Sequence, residues 1–330
     1  MKPFKYINAK DAPAAVKLVS ENPNARFLAG GTNLLDLMKE NVEQPDEVID
    51  ITRIALTQIK ATSAGVSIGG LGKNTDAANH PMIRQNYPLL TQAILAGASG
   101  QIRNMATNGG NLLQRTRCPY FYDVNMPCNK REPGSGCGAL EGINRMHAIF
   151  GWSETCVAVF PSDMAIALAA LDAVVKIQSP GGQEKSIPFA DFHRLPGDTP
   201  EKDTNLGHGE LITAIEIPKN NFAEHSYYLK VRDRASYAFA LVSVAAALEM
   251  NGNVIKQARL AMGGVAHKPW RALKAEQMLV GKEPTEANFK LAADAEMAEA
   301  KPLEHNKFKV ELGNRSIVLA LQMAFNSDKS

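Results

Sequence analysis

All four cysteines of this 330-residue chain fall between positions 118 and 156. Cys118, Cys128, Cys137 and Cys156 sit in a segment that opens on ASGQIRNMATNGGNLLQRTRCPYFYD at Ala98. It runs through a Pro- and Gly-rich loop and closes on CVAVFPSD at Asp163. Chance would scatter so few cysteines. The same segment carries Gly109-Gly110-Asn111, read as a backbone-exposing turn flanked by Thr107 and Gln114. Such a turn can set amides, a hydroxyl and a carboxamide around a polar ligand. A polar glycine segment leading into a cysteine cluster implies two redox groups side by side.

The rest of the chain sets the frame. Its length calls for two or three cores. Hydrophobic residues at 45% and charged residues at 21% are those of a globular enzyme. A net charge of +2 without a basic run leaves no footprint for nucleic acid. Apolar runs such as Ala238 to Leu248 are far short of the ~20 residues a membrane span needs. The opening MKPFKYINAKDAPAA has no apolar core of a signal peptide.

Phe4 to Ile7 reads as a strand and Asp11 as the cap of a helix through Ser20. A second strand, Arg26 to Ala29, leads through Gly30-Gly31-Thr32-Asn33 into a helix over Leu34 to Lys39. Glycines let backbone amides approach an anion, and the following helix start adds partial positive charge, so a diphosphate is the natural occupant. A tight strand-to-helix turn would show the same residues. Neither a dinucleotide GxGxxG nor a P-loop lysine is present.

Further strands are expected at Glu47 to Ile51 and Val66 to Ile68, and helix over most of Pro81 to Ala98. Ser162-Asp163 should cap a helix over Met164 to Leu171, and capping alone would explain Asp163. A hairpin joins Ala173–Gln178 to Glu184–Ile187, and Leu211 to Ile217 is a strand. Beyond Pro218, three antiparallel strands are expected (Tyr227–Val231, Phe239–Glu249 and Val254–Met262), with Asn251-Gly252 as the hairpin turn. His267 to Trp270 reads as a strand-to-helix junction. Helices follow at Arg271–Leu279, Glu286–Ala300 and Asn306–Phe325.

Structural zinc sites usually show a C-x₂₋₄-C knuckle, and none exists here. Disulfides would suit an exported chain, and buried thiols are the plainest reading. Four thiolates spread along one loop also suit a [4Fe–4S] cube, which takes one cysteine per iron. His147, in the same insertion, reads as a hydrogen-bonding residue.

Three motifs together carry a resemblance: FLAGGTNLLDLMK from Phe27, ASGQIRNMATNGGNLLQ from Ala98, and PSDMA from Pro161. The chain resembles, over essentially its whole length, the FAD-binding subunits of the xanthine dehydrogenase and carbon monoxide dehydrogenase (molybdenum hydroxylase) family. RTRCPYFYD and CNKREPGSGC are similar to the flavin subunits of periplasmic aldehyde oxidoreductases, which carry an inserted [4Fe–4S] cluster. The resemblance implies an α+β fold, with a two-part FAD-binding type-2 (PCMH-like) flavin domain and a C-terminal α+β domain. The boundaries expected are 1–55, 56–218 with the inserted cluster loop at about 115–160, and 219–330.

It also implies a set of FAD contacts. Leu28, Ala29, Gly30, Gly31, Thr32, Asn33 and Leu34 match the diphosphate loop. Ala106, Thr107, Gly110, Asn111, Leu113 and Gln114 match the second loop. Ser162 and Asp163 match the acidic pair, and Ile212 and Lys230 match positions near the flavin ring. Lys230 would equally serve as a solvated strand lysine. Cys118, Cys128, Cys137 and Cys156 match the cluster ligands.

The function implied is electron transfer from iron–sulfur centres to FAD and on to an external acceptor, with no catalytic residue in this chain. The partners implied are a small [2Fe–2S] subunit and a large molybdenum-cofactor subunit. The location implied is the periplasm, reached as passenger of a signal-bearing partner, with the cytoplasm as the alternative. A self-contained FAD oxidoreductase, a subunit reducing NAD and a zinc-stapled binding subunit are the competing readings.

Overall fold

Three sheets follow one another along the chain in a computed structural model that describes residues 1–327. The first is parallel: β1 (Lys5–Asn8), β2 (Ala25–Leu28) and β3 (Glu47–Asp50) lie in the order β1-β3-β2. The helix Ala12–Glu21 crosses between β1 and β2. Asp11 caps it by accepting from the Ala14 amide, and Ala15, Val16 and Val19 face the core. β2 runs straight into the Gly30-Gly31 loop and the helix Leu34–Lys39, as expected.

The second sheet is antiparallel, in the order β4-β5-β8-β6-β7. Its strands are β4 (Ile59–Ala61), β5 (Gly65–Gly69), β6 (Val174–Gln178), β7 (Glu184–Pro188) and β8 (Leu211–Pro218). β5 and β6 are neighbours of β8, so the long excursion between them, which holds the glycine segment and the cysteines, begins and ends on one sheet. The helix expected over Pro81 to Ala98 is two, Pro81–Asn86 and Pro88–Ala96. Pro88 has no N–H to continue the first and drives Tyr87 out of helical geometry.

The expectation of three C-terminal strands is corrected to four. β9 (Ser226–Val231), β10 (Val242–Asn251) and β11 (Val254–Gly263) are joined by β12 (Trp270–Arg271), in the order β12-β11-β10-β9. Met262 pairs with Trp270 and Ala261 with Arg271, so part of the expected junction is a short edge strand. Two residues carry too little periodicity to announce a strand. Asn251-Gly252 makes the hairpin turn between β10 and β11, with Gly252 at φ +59°. The helices Leu273–Leu279, Glu286–Met297 and Phe308–Asn326 pack on this sheet around Leu248, Leu260, Phe289 and Ile317. β10 begins at Val242, later than expected, which leaves Tyr237 to Leu241 as a loop.

The candidate flavin cleft and cysteine cavity

The Gly30-Gly31 loop lies directly on the second glycine segment. A Cβ added to Gly30 would stand 2.1 Å from the Met105 carbonyl oxygen, so glycine is required for the two loops to touch. Gly31 has φ +73°, a conformation that costs little only for glycine. The second segment differs from expectation. Gly109 and Gly110 lie inside a short helix, Asn108–Leu112, rather than in an open turn. Thr107 caps it by accepting from the Gly110 amide at 3.2 Å. Close packing explains Gly109, since a Cβ there would meet the Gly70 carbonyl at 3.1 Å and Ile212 at 3.3 Å.

Behind this helix runs a ladder of amides. Asn74 Nδ2 donates to Asn108 Oδ1 at 3.0 Å, and Asn111 Nδ2 donates to Asn74 Oδ1 at 2.9 Å. Ser162 Oγ donates to Asn111 Oδ1, and Gln114 Nε2 donates to the Asn111 carbonyl. Ser162 also caps the helix Asp163–Ala170 by accepting from the Ala165 amide. Asp163 is therefore not the cap. Its carboxylate is left to accept from Tyr228 OH at 2.7 Å and from Lys230 Nζ at 2.7 Å. Lys230 is not solvated: its side chain is 5% exposed, and Nζ donates also to the Ala96 carbonyl.

These elements enclose one elongated cleft. One half, about 300 Å³, is lined by Ala29, Gly30, Gly31, Thr32, Asn33, Leu34, Thr107, Gly110, Leu113 and Ile212 among others. The other, about 440 Å³, is lined by Thr32, Asn33, Ala106, Gly110, Asn111, Gln114, Ser162, Asp163 and Lys230, with Tyr237 and Phe239 over it. Thr32, Asn33 and Gly110 belong to both halves. Every expected cofactor contact lines the cleft except Leu28, which supports Gly31 from the end of β2. The residues fit a long, polar-centred group. Asn33 Nδ2 is buried without a partner, while its Oδ1 is fixed by accepting from the Arg115 amide at 2.9 Å.

Sequence reasoning missed Arg117, Tyr228 and Asn74. Arg117 Nη1 donates to Asp36 at 3.0 Å and to Tyr122 OH at 2.9 Å, and its Nε is buried and unpartnered. Only its position between Gln114 and Cys118 could have drawn notice.

Arg117, Pro161, Ser162, Asp163 and Phe239 also line a further cavity of about 210 Å³, whose wall includes Cys118 and His147. Cys118 in turn joins Cys128, Cys137 and Cys156 around one small cavity. The structure thus brings all four cysteines together, as free thiols, around one small cavity. Burial pushes the Cys118 thiol up to about 12 and Cys156 to about 11, so a metal bound here would have to displace protons. Among the described residues, no three Cys, His, Asp or Glu side chains converge on one point as a single ion requires. The four side chains are all thiols, the donor set that an iron–sulfur cluster takes, and the cavity they share is about 10 Å³.

Half-buried ion pairs tie the loop to the rest of the chain. Lys130 Nζ donates to Asp203 at 2.5 Å and to the Pro200 carbonyl, while Arg115 bridges Asp203 at 2.9 Å and Glu43 at 2.8 Å. Lys130 and Arg115 hold the Asp203 carboxyl down to about 2 against the opposing effect of burial.

Two protein-family profiles cover nearly the whole chain. One, described as the FAD binding domain in molybdopterin dehydrogenase, matches residues 2–220; the other, the CO dehydrogenase flavoprotein C-terminal domain, matches residues 227–321. The chain is a FAD-binding subunit of the molybdenum hydroxylase family. It is therefore an oxidoreductase subunit. It is 50% identical to the aldehyde oxidoreductase FAD-binding subunit PaoB of Escherichia coli K12, over 98% of this chain and 99% of that one. It is 32% identical to the glyceraldehyde dehydrogenase medium chain of Sulfolobus acidocaldarius, over 85% and 82% of the two chains. Among solved structures, carbon monoxide dehydrogenase from Hydrogenophaga pseudoflava superposes with a TM-score of 0.77 at 25% identity, covering 98% of each chain. Among the described residues, no helix is long and apolar enough to cross a membrane.

Proposed function

We propose that this chain is the flavin-bearing electron-transfer subunit of a molybdenum-dependent aldehyde oxidoreductase. Its FAD would be held by the contacts named above, and a [4Fe–4S] cluster by Cys118, Cys128, Cys137 and Cys156. The observation that carries the reading is the gathering of the four cysteines around one cavity, with Cys118 also lining the further cavity that shares Arg117, Ser162 and Asp163 with the cleft. The identity to an aldehyde oxidoreductase subunit over the whole chain supports the substrate class. The chemistry supplied by the bound groups is electron transfer, in pairs at the flavin and singly at the cluster.

The residues of the chain bind, orient and shield. The Gly30-Gly31 loop and Asn33 would meet the diphosphate, Asp163 and Lys230 would hold the polar wall, and Tyr237 and Phe239 line the same half of the cleft. Partners of the reading are a small [2Fe–2S] subunit and a large molybdenum-cofactor subunit, which binds the aldehyde. Export to the periplasm would depend on a signal-bearing partner. The division proposed is 1–55, 56–218 and 219–330; the first sheet ends at Asp50 and the second at Pro218.

The visible absorption spectrum of the purified chain, with iron and sulfide content, tests this. Flavin bands over broad iron–sulfur absorption are expected, with no aldehyde turnover by the chain alone. Flavin without iron would refute the cluster, a colourless protein would refute both groups, and turnover would favour a self-contained enzyme.

A further inference from the structure

His147 stands out among the buried groups that the flavin cleft does not use. It is 3% exposed, and its Nε2 lies 3.1 Å from Cys118 Sγ. Its Nδ1 is also buried and has no partner. The backbone on either side is locked from the C-terminal helix and the loop before it. Lys309 Nζ donates to the carbonyls of Met146 and His147 at 3.0 Å each and to Gly264 at 2.7 Å. Asn306 Nδ2 donates to the His147 and Ala148 carbonyls, and the His147 amide donates to the Asn144 carbonyl. A buried lysine and a buried asparagine from a different part of the chain thus fix the backbone that carries this imidazole.

We propose that His147 donates an Nε2–H hydrogen bond to the Cys118 sulfur and thereby raises the reduction potential of the iron–sulfur cluster read at that cavity. The inference rests on that cluster reading. A metal-bound thiolate has no proton and only accepts, so the nitrogen facing it must carry the hydrogen. This leaves Nδ1 as a bare acceptor in its apolar surroundings, which is less costly than an orphaned donor. A donor directed at a ligand sulfur offsets negative charge there, and the reduced cluster holds one charge more than the oxidised one. Reduction is therefore favoured. The rigid backbone keeps this donor in place in both oxidation states.

The test is a potentiometric titration of the purified full chain followed by EPR, with iron and sulfide content measured in parallel. His147→Leu and His147→Phe remove the donor, while His147→Gln keeps an N–H. The donorless variants should keep full iron and disfavour reduction by about tenfold, or ~59 mV for one electron. His147→Gln should lie closer to wild type. Equal potentials in wild type and the iron-loaded variants would overturn the inference while leaving the cluster intact. Iron lost from all three variants would make His147 a structural support and overturn it too. A wild-type chain without iron would overturn the cluster reading itself, and the inference with it.

Discussion

Gly30→Ala tests the contact on which the cleft depends. The added Cβ would stand 2.1 Å from the Met105 carbonyl oxygen, 2.7 Å from the carbonyl carbon and 3.0 Å from Ala106 Cα. All three are backbone atoms, so no side chain can swing aside. The two loops have to part by about 1 Å before the contact becomes tolerable. Both loops line the cleft, and Thr32, Asn33 and Gly110 span its two halves, so parting them misplaces donors on both sides of one ligand. Overpacking of this kind costs about 1–3 kcal/mol. If most of it falls on the bound state, FAD affinity drops by about tenfold or more, since ~1.4 kcal/mol is a factor of ten. The assay is FAD dissociation by fluorescence, with flavin content after purification. Gly100→Ala is the control: it opens the helix Gly100–Met105, and its Cβ would meet nothing within 4 Å. A Gly30→Ala chain that binds FAD within twofold of wild type, as Gly100→Ala should, would refute the reasoning.

Three other outcomes are expected. Lys230→Met strands the buried Asp163 carboxylate with Tyr228 alone, so it should destabilise the chain by about 3–5 kcal/mol in chemical denaturation, and pairing it with Asp163→Leu should restore much of the loss; a single variant within about 0.5 kcal/mol of wild type would contradict this. Asp203 is held down to about 2 in the folded chain against 3.8 unfolded, so its contribution is present above pH ~4 and is lost as pH falls toward 2; Asp203→Asn should flatten the acid limb of a stability–pH curve over that window. Cys137→Ser should lose iron and acid-labile sulfide while retaining flavin, and full iron content would remove Cys137 from the ligand set.

Much of this protein is local, and what is local was legible in the sequence. Asp11 and its helix, the strand running into Gly30-Gly31, the Asn251-Gly252 hairpin and the crowding of cysteines into one loop depend on neighbours a few residues away. Every residue that the motif matches named, Leu28 excepted, also lines the cleft. What failed was the conformation of Gly109 and Gly110, which look like a turn but lie in a short helix capped by Thr107, with Gly109 packed against Gly70 and Ile212. β12 escaped because two residues acquire strand geometry only from the edge of β11.

The roles of Asp163 and Lys230 were equally undecided in sequence, where one could be a cap and the other a solvated lysine. Folding gives the cap to Ser162 and buries the other two against each other, with Tyr228 as third partner. The sequence determined which groups the chain can offer to a flavin and to metal. Only the tertiary structure decided that the four thiols share one cavity, that Cys118 also lines the cavity next to the cleft, and that His147, whose carbonyl accepts from Lys309 and Asn306, lies against that sulfur. Those contacts join residues far apart in the chain, and the burial that sets their energies exists only once the sheets and helices have packed.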